Sequence, residues 1–237
     1  MKSQARPVHS NQTGPHEEVP QIVLRHLNSQ FKKPIQPHNQ AAFDEINEKV
    51  KNWTGPLILD SCCGVGESTA VLADRYPDAL VVGVDKSAHR LQKHSSYEKS
   101  GCGQQYYLVR ADLLDFWRLA EMADWRPTRH FLLYPNPWPK ASHVNRRWHG
   151  SPVWPYLVNL GGHLTLRSNW STYLLEVAEA LSLSGFQASI THIPAQKVEP
   201  MTPFERKYKD SGQSVWQLSA DLNKATVRET DVESENT

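Results

Sequence analysis

Three carboxylates each close a strand-like segment of the sequence. Asp60 follows the apolar run 57–59, Asp85 closes the run 79–85, and Asp112 closes the run 105–112. In open α/β sheets, ligands bind in the crevice at the carboxyl ends of the strands. A single acidic residue after a strand is common, because turns are exposed to solvent, and by itself it does not indicate a ligand site. Three such acids, together with a small-residue turn after the first, indicate a ligand site.

The turn after Asp60 contains Cys62, Gly64 and Gly66. Small residues let the backbone approach a ligand, and glycine adopts positive φ without steric cost. The turn departs from the dinucleotide fingerprint Gly-x-Gly-x-x-Gly, because Cys62 and Thr69 occupy its first and third glycine positions. Asp60 would repel a pyrophosphate, but it suits the ammonium and sulfonium groups of S-adenosylmethionine.

Asp85 and Asp112 extend this predicted cofactor site. Asp85 can accept hydrogen bonds from both ribose hydroxyls, and Asp112 can reach the adenine amino group. Cys62 and Cys63 are expected to be small packing residues and not nucleophiles, because no base lies beside them in the sequence. The predicted cofactor residues are Asp60, Cys62, Gly64, Gly66, Asp85 and Asp112.

A second motif, Pro-Asn-Pro-Trp-Pro-Lys at 135–140, follows the fourth predicted strand. Its three prolines restrict the backbone to extended conformations and remove hydrogen-bond donors. Such a rigid loop can hold a side chain at a reaction centre. Asn136 is the candidate for that side chain, and Trp138 offers a face on which a base could stack.

Basic residues follow the proline-rich motif. Lys140, Arg146 and Arg147, with Trp148 beside them, have the composition of a surface that binds phosphates and bases. The alternative is a solvated, basic start of a helix. Composition alone leaves both interpretations open.

Strand-like and helix-like segments alternate after residue 55, which predicts an α/β fold: a mostly parallel, seven-stranded sheet with helices on both faces. The predicted domain covers 37–222, after a flexible N-terminal tail and arm (1–36) and before an acidic, disordered tail (223–237). The predicted strands are 57–60, 79–85, 105–112, 130–135, 163–168, 186–192 and 215–218. The predicted helices begin near 39 and then cover 67–76, 87–99, 113–123 and 171–183.

The charges of the 237-residue chain almost balance, with 26 basic and 25 acidic residues and a formal net charge of +1. Four acids and no base lie in the last nine residues, which leaves 26 basic against 21 acidic residues before them. A mildly basic body with an acidic tail is compatible with RNA but does not require it.

The remaining composition predicts a cytoplasmic protein. No apolar stretch could cross a bilayer, and the N-terminus has no secretory signal, so no membrane association is expected. The three cysteines form no Cys-x-x-Cys pair and the eleven histidines show no His-Glu-x-x-His spacing, which predicts no metal site and a reducing compartment. A monomer or weak homodimer is expected.

The motifs resemble those of the tRNA (guanine-N7-)-methyltransferase family, of which the chain looks like a divergent member. The matching elements are the loop 135–140, Arg146-Arg147, Ser168-Asn169-Trp170, Thr202-Pro203-Phe204-Glu205 and the strand 215–218. Their order and spacing match between about 57 and 218. The resemblance implies a Rossmann-like class I fold, S-adenosylmethionine as cofactor, and tRNA or another structured RNA as partner.

The resemblance also implies roles for individual residues. Asn136 and Asn169 would take catalytic positions around the target base. The implied substrate-binding residues are Trp138, Lys140, Arg146, Arg147, Thr202 and Glu205.

Two of these positions depart from the family pattern, because Asn136 and Asn169 stand where the family has acids. Guanine N7 carries no proton at neutral pH, so its methylation needs alignment and no base. A carboxylate would stabilise the growing positive charge on guanine, which an amide largely fails to do, although an amide can still position a base. Slower guanine methylation, a different target and lost activity all remain open.

Two other functions are compatible with the sequence. The two amides would suit a non-catalytic homologue that retains affinity for cofactor or RNA. The small net charge would suit a methyltransferase that acts on a small molecule. A nicotinamide-dependent dehydrogenase fits poorly, because the glycine fingerprint is incomplete.

Overall fold

The computed structural model describes residues 5, 7–96 and 105–223, and a seven-stranded sheet organises them in the order β3-β2-β1-β4-β5-β7-β6. The strands are β1 Leu57–Ser61, β2 Leu80–Asp85, β3 Tyr106–Arg110, β4 Arg129–Leu133, β5 His163–Ser168, β6 Ala188–Ile193 and β7 Val215–Asp221. The α-helices are α1 Val19–Leu27, α2 Pro37–Lys51, α3 Glu67–Arg75, α4 Ala88–Leu91, α5 Leu113–Met122, α6 Trp154–Asn159, α7 Ser171–Leu183 and α8 Pro203–Asp210.

The sheet is parallel except for β7, which pairs antiparallel with both β5 and β6. β1 and β2 are buried along their whole lengths, which explains why their sequences are continuously apolar before the closing acid. The predicted mostly parallel, seven-stranded sheet is confirmed.

Helices cover both faces of the sheet. Leu57 and Leu59 of β1 belong to a large core with residues of α1, α2, α5, α6 and α7. Ile58, between them in sequence, packs in a smaller core with Leu72 of α3 and Met201. This division follows from the alternation of side chains along a strand.

The strand order reverses between β1 and β4. From β1 the chain proceeds outward through β2 and β3 and then returns to β4 on the other side of β1. Asp60 of β1 lies in register between Gly83 of β2 and Phe131 of β4. A crevice at the carboxyl ends of the strands beside such a reversal is the ligand site of open α/β sheets.

Four residues of the predicted flexible N-terminal tail form hydrogen bonds with the body, namely Ser10, Asn11, Gln12 and His16, and the predicted domain boundary stays a prediction. After them α1 packs on α7, with Val19, Ile22 and Val23 buried. Their i, i+3, i+4 spacing is the usual helical signal. The predicted acidic tail lies outside the described residues, except for Asn223.

The predicted helix 87–99 is shorter in the structure. α4 ends at Leu91 and a 3₁₀ turn, His94–Ser96, follows it. The end of the predicted segment lies outside the described residues. Across the described ranges, none of the helices has the length and apolar character needed to span a bilayer.

Candidate functional site

Asp60 lies fully buried at the carboxyl end of β1. Its Oδ2 accepts hydrogen bonds from the hydroxyls of Ser68 (2.6 Å) and Thr69 (2.7 Å). Its Oδ1 has no hydrogen-bond partner among the described residues. Burial raises the pKa of Asp60 to about 6, although the two hydroxyls lower it and the charge of Asp85 raises it further. The site therefore contains a buried carboxyl with one unused oxygen.

The turn after Asp60 contains three residues with positive φ: Cys62 (63°), Gly64 (63°) and Gly66 (77°). A Cβ on Gly66 would lie 2.7 Å from His94 Nδ1 and from Leu108 Cδ1, so packing requires glycine there. A Cβ on Gly64 would meet no atom within 4 Å. The space beside the Gly64 backbone is open, and a ligand could approach it closely.

Cys62 lines this turn as a protonated thiol. Burial raises its pKa to about 12, and the charge of Asp85 contributes in the same direction. A thiol with this pKa is a poor nucleophile at neutral pH. This agrees with the expected packing role.

Asp85 holds the same turn from β2. Its Oδ2 accepts from the Gly64 amide (3.1 Å) and its Oδ1 from the Ser87 amide (2.8 Å). Each carboxylate oxygen has a second lone pair, so the predicted ribose contact is compatible with these bonds.

Asp112 has a structural function that the sequence did not indicate. Its Oδ1 accepts from the Leu114 amide (3.0 Å) and caps the N-terminus of α5. Its own amide donates to the Asn39 side chain of α2 (3.1 Å). Capping gives an ordinary reason for an acid at this position, and the predicted adenine contact stays a prediction.

The proline-rich loop leaves β4 with an unusual backbone. Tyr134 and Trp138 adopt φ of 52° and 44°, values that non-glycine residues rarely take. Such conformations persist where the surrounding structure holds them. Between them, exposed Asn136 accepts a hydrogen bond from the Trp138 amide through Oδ1 (3.3 Å). Its NH₂ group remains as the donor available to a ligand.

Glu205 supports the start of this loop. It is fully buried, and its Oε1 accepts from the hydroxyl of Tyr134 (3.1 Å) and from Arg167 Nη1 (2.7 Å). Its Oε2 accepts from the Met201 amide (2.6 Å). Both oxygens of Glu205 are engaged inside the protein, which gives this residue a structural role, and its implied contact with substrate stays a prediction.

Thr202 begins α8. Its hydroxyl accepts from the Glu205 amide (3.1 Å) as the helix cap. Thr-x-x-Glu is the sequence signature of a capping box. This signature could have identified the start of α8, although the helix is too polar to show an apolar periodicity. With its hydroxyl in the cap, Thr202 has a structural role, and a substrate contact stays a prediction.

Arg147 supports the other end of the loop. Its side chain is fully buried and pairs with the buried carboxylate of Glu176, with Nη1 at 2.6 and 2.5 Å from the two oxygens. Its Nε and Nη2 donate to the Trp138 carbonyl at 3.2 and 3.0 Å. In this structure the guanidinium of Arg147 is inaccessible and its donors are used within the protein, so Arg147 has a structural role, and its phosphate contact stays a prediction.

His149 is the third side chain of this buried cluster, and it contributes to the ionisation of Glu176. Burial lowers the pKa of His149, so the imidazole is neutral at pH 7 and donates from Nε2 to Glu176 (2.9 Å). Burial alone would raise the pKa of Glu176, but the hydrogen bonds from His149, Arg147 and the His16 amide outweigh it and hold that pKa at about 2. The Arg147–Glu176 pair stays ionised throughout the physiological range.

Lys140 and Arg146 remain on the surface. Both are exposed. The Arg146 guanidinium lies 4.9 Å from the Trp138 ring centroid, and His143 meets that ring edge-on at 5.5 Å. The two basic residues are available to phosphates, whereas one face of Trp138 is covered by Arg146. A base would stack on the other face or displace Arg146.

Asn169 follows β5, the neighbour of β4. Leu133 of β4 pairs with Arg167 of β5, and the Tyr134 amide donates to the Arg167 carbonyl (2.9 Å). The segments that carry Asn136 and Asn169 therefore begin side by side at one edge of the sheet. Asp60 lies at the same edge, because β1 is the other neighbour of β4.

Several residues that build the site were missed by sequence reasoning. Ser68 and Thr69 could have been found, because hydroxyls in the first turn of a helix often face a preceding turn. The more distant residues that support the loop give no local signal in the sequence: Gln12, Arg167 and Glu176.

A cavity of about 560 Å³ lies elsewhere, between α6 and the segment that joins α7 to β6. Asp221 on its wall pairs with His163, the first residue of β5, so the cavity lies at the amino ends of the parallel strands. Apolar and amide side chains make up most of its wall. It shares no residue with the site described above. Among the described residues, no cluster suited to a metal ion is found.

A family model described as "Putative methyltransferase" matches residues 54–218 of the chain. Similar proteins include the tRNA (guanine-N(7)-)-methyltransferase of Treponema pallidum, 28% identical over 69% of this chain and 66% of that protein. The protein of the same name from Alcanivorax borkumensis is 28% identical over 72% of this chain and 74% of its own length. The chain thus spans about two thirds to three quarters of these relatives.

Solved structures of methyltransferases share the fold. "Structure of an antibiotic related Methyltransferase" aligns with 81% of this chain and 96% of its own at a TM-score of 0.56 and 14% identity. The 16S rRNA methyltransferase KamB aligns with 80% of this chain and 94% of its own at a TM-score of 0.53 and 16% identity. These similarities establish the class I, Rossmann-like fold.

Proposed function

The chain belongs to the methyltransferase family whose model covers residues 54–218, and from this we propose that it transfers a methyl group from S-adenosylmethionine to a ring nitrogen of an RNA base. Guanine N7 of tRNA is the leading acceptor, since the relatives in the comparison are named for that reaction. One observation carries the proposal: β1, which ends in the acid and the glycine turn, pairs in parallel with β4, which ends in the proline-rich loop with Asn136.

The turn fits the proposed cofactor. The open space beside Gly64 permits close approach to the backbone, and Asp60, before the turn, has a buried oxygen without a hydrogen-bond partner among the described residues. Asp60 and Asp85 supply negative charge where a ligand with ammonium and sulfonium groups would bind, and Asp85 has lone pairs for hydroxyls. When bound, S-adenosylmethionine supplies an electrophilic methyl group.

The loop fits an acceptor that loses no proton. The lone pair of guanine N7 forms the new bond to the methyl carbon, while the electron pair of the broken carbon–sulfur bond stays on sulfur. The guanine product gains one positive charge. Asn136 therefore needs only to orient the base, and the supported backbone around it keeps that orientation fixed.

The exposed basic residues fit an RNA substrate. Lys140 and Arg146 lie next to the loop and can neutralise phosphates that flank the target nucleotide. The intracellular compartment of translation is the expected location, because its substrate would be tRNA.

Purified full-length protein, labelled S-adenosylmethionine and bulk tRNA test the proposal. We expect label in tRNA, identified as 7-methylguanosine by nucleoside mass spectrometry, and loss of that label in Asn136→Ala. Asn159→Ala is the matched control, since Asn159 is exposed at the end of α6 and bonds only to Glu121 in the described structure.

Other results of this assay identify the competing functions. Cofactor binding without transfer to any acceptor would point to a non-catalytic homologue, which the amides Asn136 and Asn169 motivate. Transfer to small metabolites but not to RNA would replace the proposed substrate. Failure to bind the cofactor at all would refute the proposal.

A further inference from the structure

We propose that the segment 10–16, here called the N-terminal strap, is part of the acceptor site, and that Gln12 is a positioning residue for the proline-rich loop. This inference rests on the proposed function for its kinetic consequences. Its structural basis is independent of that function.

The strap lies directly against the loop. The Ser10 hydroxyl donates to the Pro139 carbonyl (2.6 Å). The Asn11 side-chain oxygen accepts from the Ala141 amide (3.0 Å). These two bonds join parts of the chain that are 129 and 130 residues apart. They attach the loop to the strap at Pro139 and Ala141, just after Trp138, the residue with positive φ.

Gln12 enters the buried ion pair behind the loop. Its Oε1 accepts from Arg147 Nη2 (2.5 Å), and its Nε2 donates to Glu176 Oε1 (3.1 Å). The His16 amide donates to the same carboxylate oxygen (2.9 Å). An amide side chain has an acceptor for the cation and a donor for the anion, so Gln12 matches both partners of the pair.

Arg147 transmits this arrangement to the loop. Its Nη2 donates to Gln12, to the Trp138 carbonyl (3.0 Å) and to the Lys140 carbonyl (3.3 Å). Pro137 and Pro139 have no N–H, so the loop depends on its carbonyls for attachment. Charge-assisted bonds are about twice as strong as neutral ones. The guanidinium is therefore the main support of the Trp138 backbone, and Gln12 helps to fix where it lies.

Removal of the Gln12 side chain would take one acceptor from Arg147 Nη2 and one donor from Glu176 Oε1 in a buried site, and would leave Nη2 with the Trp138 and Lys140 carbonyls alone. Water would enter or the arginine would shift, and either change moves the Trp138 and Lys140 carbonyls. Asn136 would move with them, because its side chain bonds the Trp138 amide. The cofactor turn on β1 has no bond to the strap in the described structure.

Two full-length variants, Gln12→Ala and Asn11→Ala, test the proposal against Gln40→Ala. The side chain of Gln40 in α2 bonds only to the exposed Asp44 in the described structure, and this variant serves as the matched control. Hydrogen–deuterium exchange of the peptide covering 136–142 measures the loop without any requirement for methyl transfer. We expect severalfold faster exchange in both variants, with the Ala141 amide most affected in Asn11→Ala.

Kinetics give the second measurement. For Gln12→Ala we expect kcat/KM for tRNA to fall about tenfold or more, with the dissociation constant for S-adenosylmethionine unchanged and Gln40→Ala equal to the parent.

Unchanged loop exchange in both variants would overturn the proposal, as would an equal loss of cofactor affinity. If Gln12→Ala failed to fold, Asn11→Ala would decide, since Asn11 is exposed. If the parent protein transferred no methyl group, the exchange result would still stand by itself.

Discussion

Asp60 has a charge that destabilises the folded protein at neutral pH. Its folded pKa of about 6 exceeds the ordinary value of 3.8, so the folded state binds this proton more tightly than the unfolded state does. Stability from this group is fully present below the ordinary pKa and is lost as the pH rises through about 6. Ligand-binding sites often retain groups that lower the stability of the folded protein.

We therefore expect Asp60→Asn to raise the free energy of unfolding at pH 7.5 by as much as about 3 kcal/mol, at 1.36 kcal/mol for each pKa unit. The gain should shrink towards pH 4, where Asp60 is protonated when folded. Denaturant titrations at the two pH values measure this. Asp44→Asn, at an exposed position of α2, is the control and should show neither effect.

The same titration should appear in cofactor binding. A ligand with positive groups favours the carboxylate form, so the affinity for S-adenosylmethionine should fall as the pH drops below about 6, by up to about tenfold per pH unit. Calorimetry from pH 5 to pH 8 measures this. In Asp60→Asn the binding should be weak and independent of pH, and a parent-like pH profile in that variant would assign the titration to another group.

Asn136 offers an isosteric test of charge at the reacting base. Asp at this position keeps the oxygen that accepts from the Trp138 amide and adds a negative charge beside a base that becomes positive. We expect Asn136→Asp to raise kcat by about tenfold with little change in KM. Single-turnover rates measure this. A lower rate would show that the NH₂ group of Asn136 itself contacts the acceptor.

α8 connects the two halves of the site. Glu205 in its first turn holds Tyr134 at the start of the loop, and the next residue, Arg206, pairs with Glu67 at the start of α3. Glu67 directly follows the glycine turn. This single short helix thus contacts both α3, which follows the glycine turn, and Tyr134, which precedes the loop that contains Asn136.

We expect Glu205→Gln to lower the free energy of unfolding by about 2–3 kcal/mol, because Arg167 would lose its counter-charge while only 16% exposed. Tyr134→Phe, which removes one hydrogen bond, should cost about 1 kcal/mol. Thermal and denaturant unfolding measure both. Glu199→Gln, exposed in the segment before α8, should behave as the parent.

The elements differ in how far the sequence predicts them. β1 and β2 were predicted nearly to the residue, because buried parallel strands have continuous apolar sequences that end in an acid. α1 has the helical spacing Val19, Ile22, Val23, but from the sequence its short apolar group is interpreted as part of an arm. α8 is almost entirely polar, and only its capping residues identify it.

The position of Arg147 shows what the sequence could not predict. Beside Lys140 and Arg146 it has the composition of a phosphate-binding surface. Its burial depends on Glu176 and Gln12, which are 29 and 135 residues away. Nothing near Arg147 in sequence distinguishes a buried guanidinium from an exposed one.

At the scale of the whole molecule, the salt dependence of tRNA affinity tests the two exposed basic residues next to the loop. Lys140→Ala and Arg146→Ala should each reduce the slope of log affinity for tRNA against log salt by about 1, because each removes one exposed cation next to the loop. Filter binding between low and moderate salt measures the slopes. Lys51→Ala, at the exposed end of α2 where Lys51 pairs with Glu48, is the control. An unchanged slope in both test variants would place the RNA elsewhere.

The strap also determines how this protein could be recombined with its relatives. The half of the sheet proposed to hold the cofactor is built from 57–112, one continuous stretch of chain. The acceptor half combines 129–221 with a segment from the far N-terminus. A chimera that imports only 134–147 from another member would separate a guanidinium from the amide that orients it, so functional transplantation of the loop requires residues 10–16 to be exchanged with it.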